Sequence, residues 1–398
     1  MYKRHNLKQI LWILSAWAIS RLALLFIGWG ANLRIPGGNP SQPWPMPNEP
    51  LLFTMWDRYD SQWYLAIVQH GYNIPINTHY SPQAFFPLYP MLIGLVERLT
   101  GIPPVIIGVI LSNLFFIVGL LFLNQLVEQR FGSEVAHTTV LFLILFPTAF
   151  FFSAIYTESL FLMGTVIAFW AADRNRWWLA GIGGAIATLT RNLGIMLIIP
   201  LILLVWEQYG KRAWRKCIPL LLIPGAFALW ALFLWWNTKD PLRFVHAESG
   251  WGRVLQPPWM GIAMAFYRIV TPAPPFIWSK NIYISAWKPQ FAPFYSLIDG
   301  VSALAGIFLS FLGRRYGMPW SWIIFALICV LIPMSAPTLH SMTPLASMSR
   351  YIVVIFPIMV TLAQMVKDRP NLKIALMIAL PMIQAFFFIL FTTWNWIA

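Results

Sequence analysis

The sequence contains few charged residues, and acidic residues are especially scarce. Only 10% of its 398 residues are charged, with 13 Asp and Glu against 27 Lys and Arg. Soluble domains carry about 25% charged residues, whereas 59% of this chain is hydrophobic and its mean hydropathy is +0.67. Because so little polar surface is available, the composition excludes an ordinary soluble protein and predicts an integral membrane protein.

Several familiar signals are also missing. The two cysteines, Cys217 and Cys329, lie in apolar segments and indicate neither disulfides nor a metal site. The sequence has no P-loop, no strand-led GxGxxG and no HExxH motif. No internal repeat is visible, which disfavours a secondary transporter. The net charge of +14 comes from short basic segments between apolar runs, a pattern typical of membrane topology, so we expect no nucleic-acid partner.

Long apolar runs are abundant. Runs of about 20 residues are long enough to cross a bilayer as helices. They predict an all-α polytopic membrane protein of about eleven transmembrane helices, forming one domain over residues 1–398. The predicted spans are 9–30, 103–124, 138–155, 156–172, 177–190, 192–207, 217–237, 292–313, 319–335, 350–366 and 372–395.

The basic residues predict the orientation of these spans. Short connections rich in Lys and Arg alternate with connections that have few, so the positive-inside rule places the N-terminus in the cytoplasm. The N-terminal apolar run lacks a cleavage site and is interpreted as a retained first span. The outer side then holds two long segments, 31–102 and 238–291, and long irregular segments are where function usually resides.

The first outer segment contains the stretch "MWDRYDSQWY", with Asp57 and Asp60 three residues apart. Helical spacing would place these acids and Tyr64 near one stripe of a helix lying at the headgroup level. A carboxylate held there could act as a general base. Two alternatives remain open: the acids merely hydrate an interfacial helix, or they bind a divalent cation with His70 or His79.

Arginines recur at the predicted outer ends of spans. They are Arg191, Arg350, and Arg243 or Arg253, of which Arg243 is preferred. Ionisable residues at membrane depth usually face a cavity and a partner, and the planar guanidinium suits phosphate oxygens. Glu158 is a candidate partner for one of them. The alternative is that each arginine simply extends to the headgroups.

An acid-poor, arginine-marked outer face favours one kind of reaction. Nucleotide sugars and ATP are absent outside the cytoplasm, so a phosphate-bearing substrate there would be a lipid phosphate. If that lipid carries a sugar, phosphate leaves without needing protonation. One carboxylate then suffices to deprotonate the acceptor hydroxyl, whereas a glycosidase needs two.

Five motifs together resemble those of the PIG-V-type mannosyltransferases, in the same order along residues 56–360. They are "RYDSQWYLAIVQHGY", "AFFPLYP", "FFSAIYTESLF", "ATLTRNLG" and "SRYIVVIFP". The family's first motif has a tryptophan before its aspartate. Here Asp60 matches that aspartate with Tyr59 in place of the tryptophan, and Asp57 in "MWD" offers a competing match. Asp60 is the preferred base.

The resemblance implies a GT-C fold with interfacial helices in the first outer segment. It implies an inverting transfer of a sugar, expected to be mannose, from a polyprenyl- or dolichyl-phosphate donor to a hydroxyl of a glycolipid or glycan. Tyr64, His70 and Tyr351 lie within the matching motifs and are supporting candidates. No metal is assigned, although a divalent cation near Asp57 and Asp60 is allowed.

The resemblance also suggests where the protein works. Eukaryotic members add the second mannose of the GPI anchor, but the short segments of this chain favour a bacterial relative with another acceptor. We expect a plasma-membrane protein, or an endoplasmic-reticulum protein if the chain is eukaryotic, with its active site external or luminal. The alternatives are a transporter or lipid flippase, in which Arg21 would be the main deep charge, and a noncatalytic scaffold subunit.

Overall fold

The computed structural model describes residues 2–35, 48–74, 80–271, 292–338, 343–395 and 397, and its regular structure there is helical. Within these residues seventeen α-helices follow in order, with short 3-10 helices between some of them. They are α1 Tyr2–Arg34, α2 Leu51–Thr54, α3 Ser61–His70, α4 Leu88–Thr100, α5 Pro104–Phe131, α6 Ser133–Leu145, α7 Glu158–Asp173, α8 Trp177–Thr190, α9 Ile198–Tyr209, α10 Leu222–Thr238, α11 Arg243–Glu248, α12 Pro258–Val270, α13 Ala292–Leu312, α14 Trp320–Met334, α15 Met348–Val353, α16 Phe356–Val366 and α17 Pro370–Thr392.

Many of these helices suit a bilayer. Six helical stretches of the described chain are long and apolar enough to cross it, and α6, α8, α14 and α16 are shorter apolar helices. The outer surface of several helices is apolar, as Phe26 and Trp236 illustrate with 70% and 72% exposure. The chain is therefore a multi-pass membrane protein. The predicted number of eleven spans remains a prediction, because length and composition single out only six.

Two predicted spans are interrupted, and a third begins with a 3-10 helix rather than an α-helix. The run 138–155 is helical only to Leu145, because Pro147 disfavours helical backbone at Phe146. The run 350–366 is divided into α15 and α16, with Pro357 in the first turn of α16. The run 192–207 opens as a 3-10 helix after Arg191, whose backbone is extended. Hydrophobicity alone does not predict these breaks.

The breaks matter because they meet. Arg191 Nη1 lies 2.7 Å from Glu158 Oε1, and Arg350 Nε lies 3.2 Å from the same oxygen. The end of α8, the start of α7 and the short helix α15 therefore converge on one place. Irregular backbone at membrane depth is tolerated where protein buries it or where it lines a cavity, so this is where a functional site is expected.

The first outer segment differs from the prediction of one surface helix across both acids. Helix α3 begins only at Ser61, and Tyr59 has a φ of 56° that interrupts any helix there. Residues Ser61 to Ile67 are all buried, so the aromatic stretch packs inside the protein rather than at the headgroups. In the same segment helix α4 has an apolar surface, on which Met91 and Leu99 are 64% and 75% exposed.

Arg21, the charged residue deep in the first span, is held by hydrogen bonds within the protein. Arg21 donates to the carbonyl oxygens of Ile144 at 3.3 Å and Ala149 at 3.1 Å, and to Ser153 Oγ at 3.0 Å. Helix α6 ends at Leu145, and the last carbonyls of a helix lack partners within it. Arg21 supplies a donor there, so its contacts explain it without a transport pathway.

Candidate active site

The loop between α2 and α3 carries Asp57 and Asp60. Its turn depends on the left-handed conformation of Tyr59, which a non-glycine residue adopts only where its surroundings enforce it. The Tyr59 ring is buried against Trp394, with centroids 5.4 Å apart. Tyr156 holds the other side: its hydroxyl donates to the Arg58 carbonyl at 2.9 Å and accepts the Asp60 N–H at 3.1 Å.

Arg58 fastens this loop to the end of the last helix. It is 3% exposed and donates to the Thr392 carbonyl at 2.8 Å and the Asp57 carbonyl at 2.8 Å. Its guanidinium also lies 4.9 Å from the centre of the Trp394 ring. Burial lowers the pKa of Arg58 to about 10, so it remains cationic at neutral pH. The C-terminal end of α17 is thus part of the scaffold of the loop.

The two acids of the loop stand in different surroundings. Asp57 is fully buried, and its Oδ1 accepts the Ser61 hydroxyl at 2.7 Å while its Oδ2 has no hydrogen-bond partner among the described residues. Burial raises the pKa of Asp57 to about 6. The Asp60 side chain is 26% exposed, and its Oδ2 lies 2.9 Å from Arg350 Nη1. Only Asp60 is accessible to a substrate.

An ion-pair chain extends from Asp60 into the protein. Arg350 pairs with Asp60 through Nη1 and approaches Glu158 Oε1 with Nε at 3.2 Å. The same oxygen of Glu158 accepts a hydrogen bond from Arg191 Nη1 at 2.7 Å. Glu158 is fully buried at the first turn of α7, where the helix dipole favours a negative charge. One buried carboxylate therefore holds two arginines.

Both arginines stay charged. Burial lowers the pKa of Arg350, but the carboxylates of Glu158 and Asp60 outweigh that effect and place it well above its usual value. Burial likewise opposes the charge of Arg191, and Glu158 reverses the effect so that the pKa of Arg191 is raised. Guanidinium groups held this way present fixed N–H donors, which suit the oxygens of a phosphate.

A third arginine, Arg253, contacts Tyr351 next to Arg191 and Arg350. The guanidinium groups of Arg191, Arg350 and Arg253 lie 5.2, 5.5 and 6.0 Å from the centre of its ring. Arg253 Nη2 donates to the Tyr351 hydroxyl at 3.1 Å, and Arg253 Nε pairs with Glu248 at 3.1 Å. Arg253 belongs to the second long outer segment. The structure therefore joins both outer segments at one cationic cluster.

Other predicted residues lie elsewhere. Arg243 is exposed at the start of α11, and His70 is exposed at the end of α3. Among the described residues, no hydrogen bond, ion pair or ring contact links either one to the cluster, whereas Arg253, the alternative to Arg243, is in it. Tyr64 is buried next to the site, with its hydroxyl 3.4 Å from Thr157 Oγ1.

The predicted cation near Asp57 and Asp60 finds little support in these surroundings. No group of three or more His, Cys, Asp or Glu side chains converges in the described part of the chain, and His79 lies outside it. Asp60 is paired with Arg350, while Asp57 is enclosed beneath the loop. The two carboxylates therefore do not form a joint ligand set, and metal use remains a prediction.

Sequence reasoning missed residues that support the site from behind. Asp299, buried on α13, accepts the Ser349 N–H at 3.1 Å and so caps the start of α15, which carries Arg350. An acid inside the apolar run 292–313 was a signal for such a role. Tyr156 and Arg58 carried no comparable signal, since their function depends on backbone groups distant in sequence.

Comparisons with known proteins show which family part of this chain is similar to. Residues 49–209 match the family described as Mannosyltransferase (PIG-V). GPI mannosyltransferase 2 of Yarrowia lipolytica is 25% identical over 239 residues, which cover 57% of this chain and 66% of that protein. GPI alpha-1,6-mannosyltransferase 2 of Mus musculus is 28% identical over 240 residues, covering 51% of this chain and 47% of that protein. The predicted resemblance is confirmed, and the transporter alternative is not favoured.

Solved structures agree on the fold. ArnT from Cupriavidus metallidurans bound to undecaprenyl phosphate superposes with a TM-score of 0.52 at 14% identity, covering 90% of this chain and 60% of that one. Its apo form gives a TM-score of 0.50. The predicted GT-C fold class is thereby confirmed. The chain covers less than two thirds of the length of each of these relatives.

Proposed function

As a relative of the PIG-V-type mannosyltransferases with a GT-C fold, the chain has the architecture of a membrane glycosyltransferase, and we propose that it is one. It transfers a sugar, expected to be mannose, from a polyprenyl-phosphate donor to a hydroxyl of a glycolipid or glycan. The observation that supports this best is the chain Asp60–Arg350–Glu158–Arg191, in which one partly exposed carboxylate stands beside a buried and a largely buried cation.

Arg350 and Arg191 bind the donor phosphate in this proposal. Each uses one N–H on Glu158 or Asp60, and a guanidinium group has five N–H donors in all. Glu158 fixes both groups in place before substrate arrives, so little reorganisation is needed when negative charge develops on the leaving phosphate. Arg253 and Tyr351 border the same region from the second outer segment.

Asp60 is the proposed general base. It takes the proton of the acceptor hydroxyl as that oxygen bonds to the anomeric carbon. The bond from that carbon to the phosphate oxygen breaks, and its electron pair leaves on the phosphate, next to the arginines. Attack opposite the leaving group inverts the anomeric centre. Asp57 is too enclosed to reach an acceptor and is assigned to positioning the loop.

The orientation is proposed from the two ends of α7. The helix begins at Glu158 in the candidate site and ends at Asp173. Asp173 Oδ2 lies 2.7 Å from Arg130 Nε. The 16 residues of α7 separate the two ends by about 24 Å at ~1.5 Å per residue. Arg174 and Arg176 follow at the Asp173 end, so the positive-inside rule assigns that end to the cytoplasm and the site to the external or luminal face.

This orientation also keeps the N-terminus in the cytoplasm. The membrane itself is assigned by the sequence expectation, a bacterial plasma membrane. The relatives reported above are a yeast and a mouse protein, which makes the endoplasmic reticulum the alternative. Fusing a reporter enzyme to each terminus and comparing its activity on the two sides would check the orientation.

The decisive experiment compares Asp60→Asn with Asp57→Asn. Both changes remove one negative charge with little change in shape. With a radiolabelled polyprenyl-phosphate mannose donor and octyl α-mannoside as acceptor, Asp60→Asn should lower the transfer rate by about 10²–10⁴-fold, the usual contribution of a general base. Asp57→Asn should retain most of the rate. Full activity of Asp60→Asn would exclude this base, and loss only in Asp57→Asn would reassign it.

A further inference from the structure

An aromatic cluster adjoins the ion-pair chain on the side of the second outer segment. It consists of Trp63, Tyr80, Phe85 and Trp251, which we call the Trp251 cluster. Trp63 and Phe85 stack with centroids 5.5 Å apart and planes 12° apart. Trp251 contacts all three others, at 5.9 Å from Trp63, 4.9 Å from Tyr80 and 5.8 Å from Phe85.

The cluster has a buried base and a half-open rim. Trp63 and Phe85 are 6% and 8% exposed, whereas Tyr80 and Trp251 are half-buried. Trp251 lies in the short 3-10 helix Ser249–Trp251, so no long helix fixes it. Its position is set instead by ring contacts with residues from the first outer segment, which leaves part of its surface available.

A role as a membrane anchor does not fit this arrangement. Tryptophans of a membrane-interface belt extend outward toward the headgroups. Trp236 and Trp259 show that pattern here, with 72% and 69% exposure. Trp251 is instead enclosed by three rings from another segment. The contrast indicates that its free surface faces a recess of the protein rather than lipid.

The Trp251 cluster is coupled to the proposed base and cations through short connections. Trp63 is one helical turn beyond Asp60, and the backbone N–H of Trp63 donates to the backbone carbonyl of Asp60 at 3.1 Å. Trp251 lies two residues before Arg253, which hydrogen-bonds Tyr351 beside Arg350. The rim of the cluster is therefore connected, through Arg253 and Tyr351, to the neighbourhood of Arg350, which pairs with Asp60.

A sugar ring matches what this recess offers. One face of a hexopyranose presents C–H groups, and these suit the negatively charged face of an aromatic ring. The hydroxyls around the ring need polar partners, and the Glu248 side chain, 36% exposed, lies three residues before Trp251. Aromatic walls with a few polar groups are the usual composition of a small-molecule site.

We propose that Trp251 and Tyr80 form the acceptor subsite and that the acceptor unit bound there is a hexopyranoside ring. This proposal rests on the proposed function. The ring stacks on Trp251 and presents its hydroxyl to Asp60. The acceptor is then recognised as a sugar, so a simple alcohol of equal chain length is a poor substitute. The donor sugar offers the same chemistry, and the test must separate the two.

The test uses Trp251→Leu and Trp251→Phe in the full-length protein. Leu keeps an apolar side chain but removes the aromatic face, and Phe restores a face. Octyl α-mannoside is the acceptor and octanol the comparison, with KM measured for acceptor and donor separately. Trp251→Leu should raise the acceptor KM by up to about 10-fold, the size of one aromatic contact, while the donor KM changes far less. Trp251→Phe should recover most of the loss.

A matched control and clear contrary results accompany the test. Trp259→Leu removes an exposed tryptophan of the same outer segment and should change neither KM. An unchanged acceptor KM in Trp251→Leu overturns the subsite, as does octanol serving as well as the glycoside. A rise confined to the donor KM would assign the ring to the donor and also overturn it. The proposed function is tested separately: it holds if wild type transfers the sugar and Asp60→Asn does not, whatever the result for Trp251. Failure of the subsite can therefore be distinguished from failure of the proposed function.

Discussion

The two ends of helix α7 hold ion pairs that differ in how completely their atoms are used. At one end Arg130 and Asp173 form a closed pair, in which two guanidinium nitrogens meet both carboxylate oxygens. At the other end Glu158 serves two arginines with Oε1 alone, and its Oε2 has no hydrogen-bond partner among the described residues. The closed pair is complete without a ligand, whereas the open one leaves donors for a substrate.

The open arrangement has a physical cost. Arg350 Nε is close enough to Glu158 for an ion pair at 3.2 Å, but the angle is not that of a hydrogen bond. Buried charges that lack full partners are expensive, and proteins retain them mainly where function requires them. The difference between the two ends of α7 therefore indicates which charges are structural and which are functional.

The largest expected effect comes from removing the shared carboxylate. Glu158→Gln removes the carboxylate partner of Arg191 and leaves the buried Arg350 with Asp60 alone, which should cost about 3–5 kcal/mol of stability and abolish transfer. The matched change at the other end, Asp173→Asn, leaves Arg130, whose side chain is 28% exposed and can turn to water. The stability cost should therefore be smaller than that of Glu158→Gln. Thermal unfolding in detergent measures the stability of both variants. Equal losses of stability would contradict the distinction between a functional and a structural ion pair.

A smaller effect should appear in the pH dependence of stability. Burial raises the pKa of Asp57 from 3.8 to about 6, so the folded state holds this proton more tightly than the unfolded state. Its contribution is present below pH 4 and is lost as pH rises through 6, by about 3 kcal/mol at 1.36 kcal/mol per pKa unit. Asp57→Asn should lack this loss.

Thermal midpoints of wild type and Asp57→Asn between pH 4 and pH 8 would measure the effect. Relative to wild type, the variant should become more stable as pH rises from 4 to 7. Asp173→Asn removes the saturated carboxylate at the other end of α7 and provides the comparison. A pH-independent difference between wild type and Asp57→Asn would mean that Asp57 is not the buried titrating group described here.

The smallest expected effect concerns the shape of the cation. Arg350→Lys keeps the charge but loses the planar fork that reaches Asp60, Glu158 and a phosphate together. The donor KM should rise by about 10-fold, equivalent to ~1.4 kcal/mol, with little change in acceptor KM. Arg130→Lys is the control at the closed pair and should leave both constants unchanged. A larger rise in acceptor KM would argue against phosphate binding by Arg350.

Sequence patterns identified the residues of the site better than its geometry. Glu158, Arg191 and Arg350 were candidates because a charged residue at the end of an apolar run is conspicuous. Asp60 was a candidate because it belongs to a close pair of acids and matches the first motif of the family. The preference for Arg243 over Arg253 had no such basis. Both lie in one polar outer segment, and only the contact with Tyr351 distinguishes Arg253.

The fold shows the same division. Apolar runs gave the helices approximate positions and predicted the boundary at Arg191. They did not predict the breaks at Pro147 and Pro357, because the flanking residues are as apolar as those of a continuous span. The interfacial helix expected at Asp57 and Asp60 was wrong for a related reason. Helical spacing is a local property, whereas the turn at Tyr59 is imposed by Tyr156 and Trp394 from elsewhere in the chain.

By itself the sequence determined that the chain is helical and lies in a membrane, because hydrophobicity acts residue by residue. Which carboxylate is accessible, which arginines share it and which aromatic rings stand beside it were decided only by tertiary structure. Accessibility and pairing depend on segments far apart in sequence, such as Asp60 and Arg350, which are separated by 290 positions. No local pattern encodes a contact of that range.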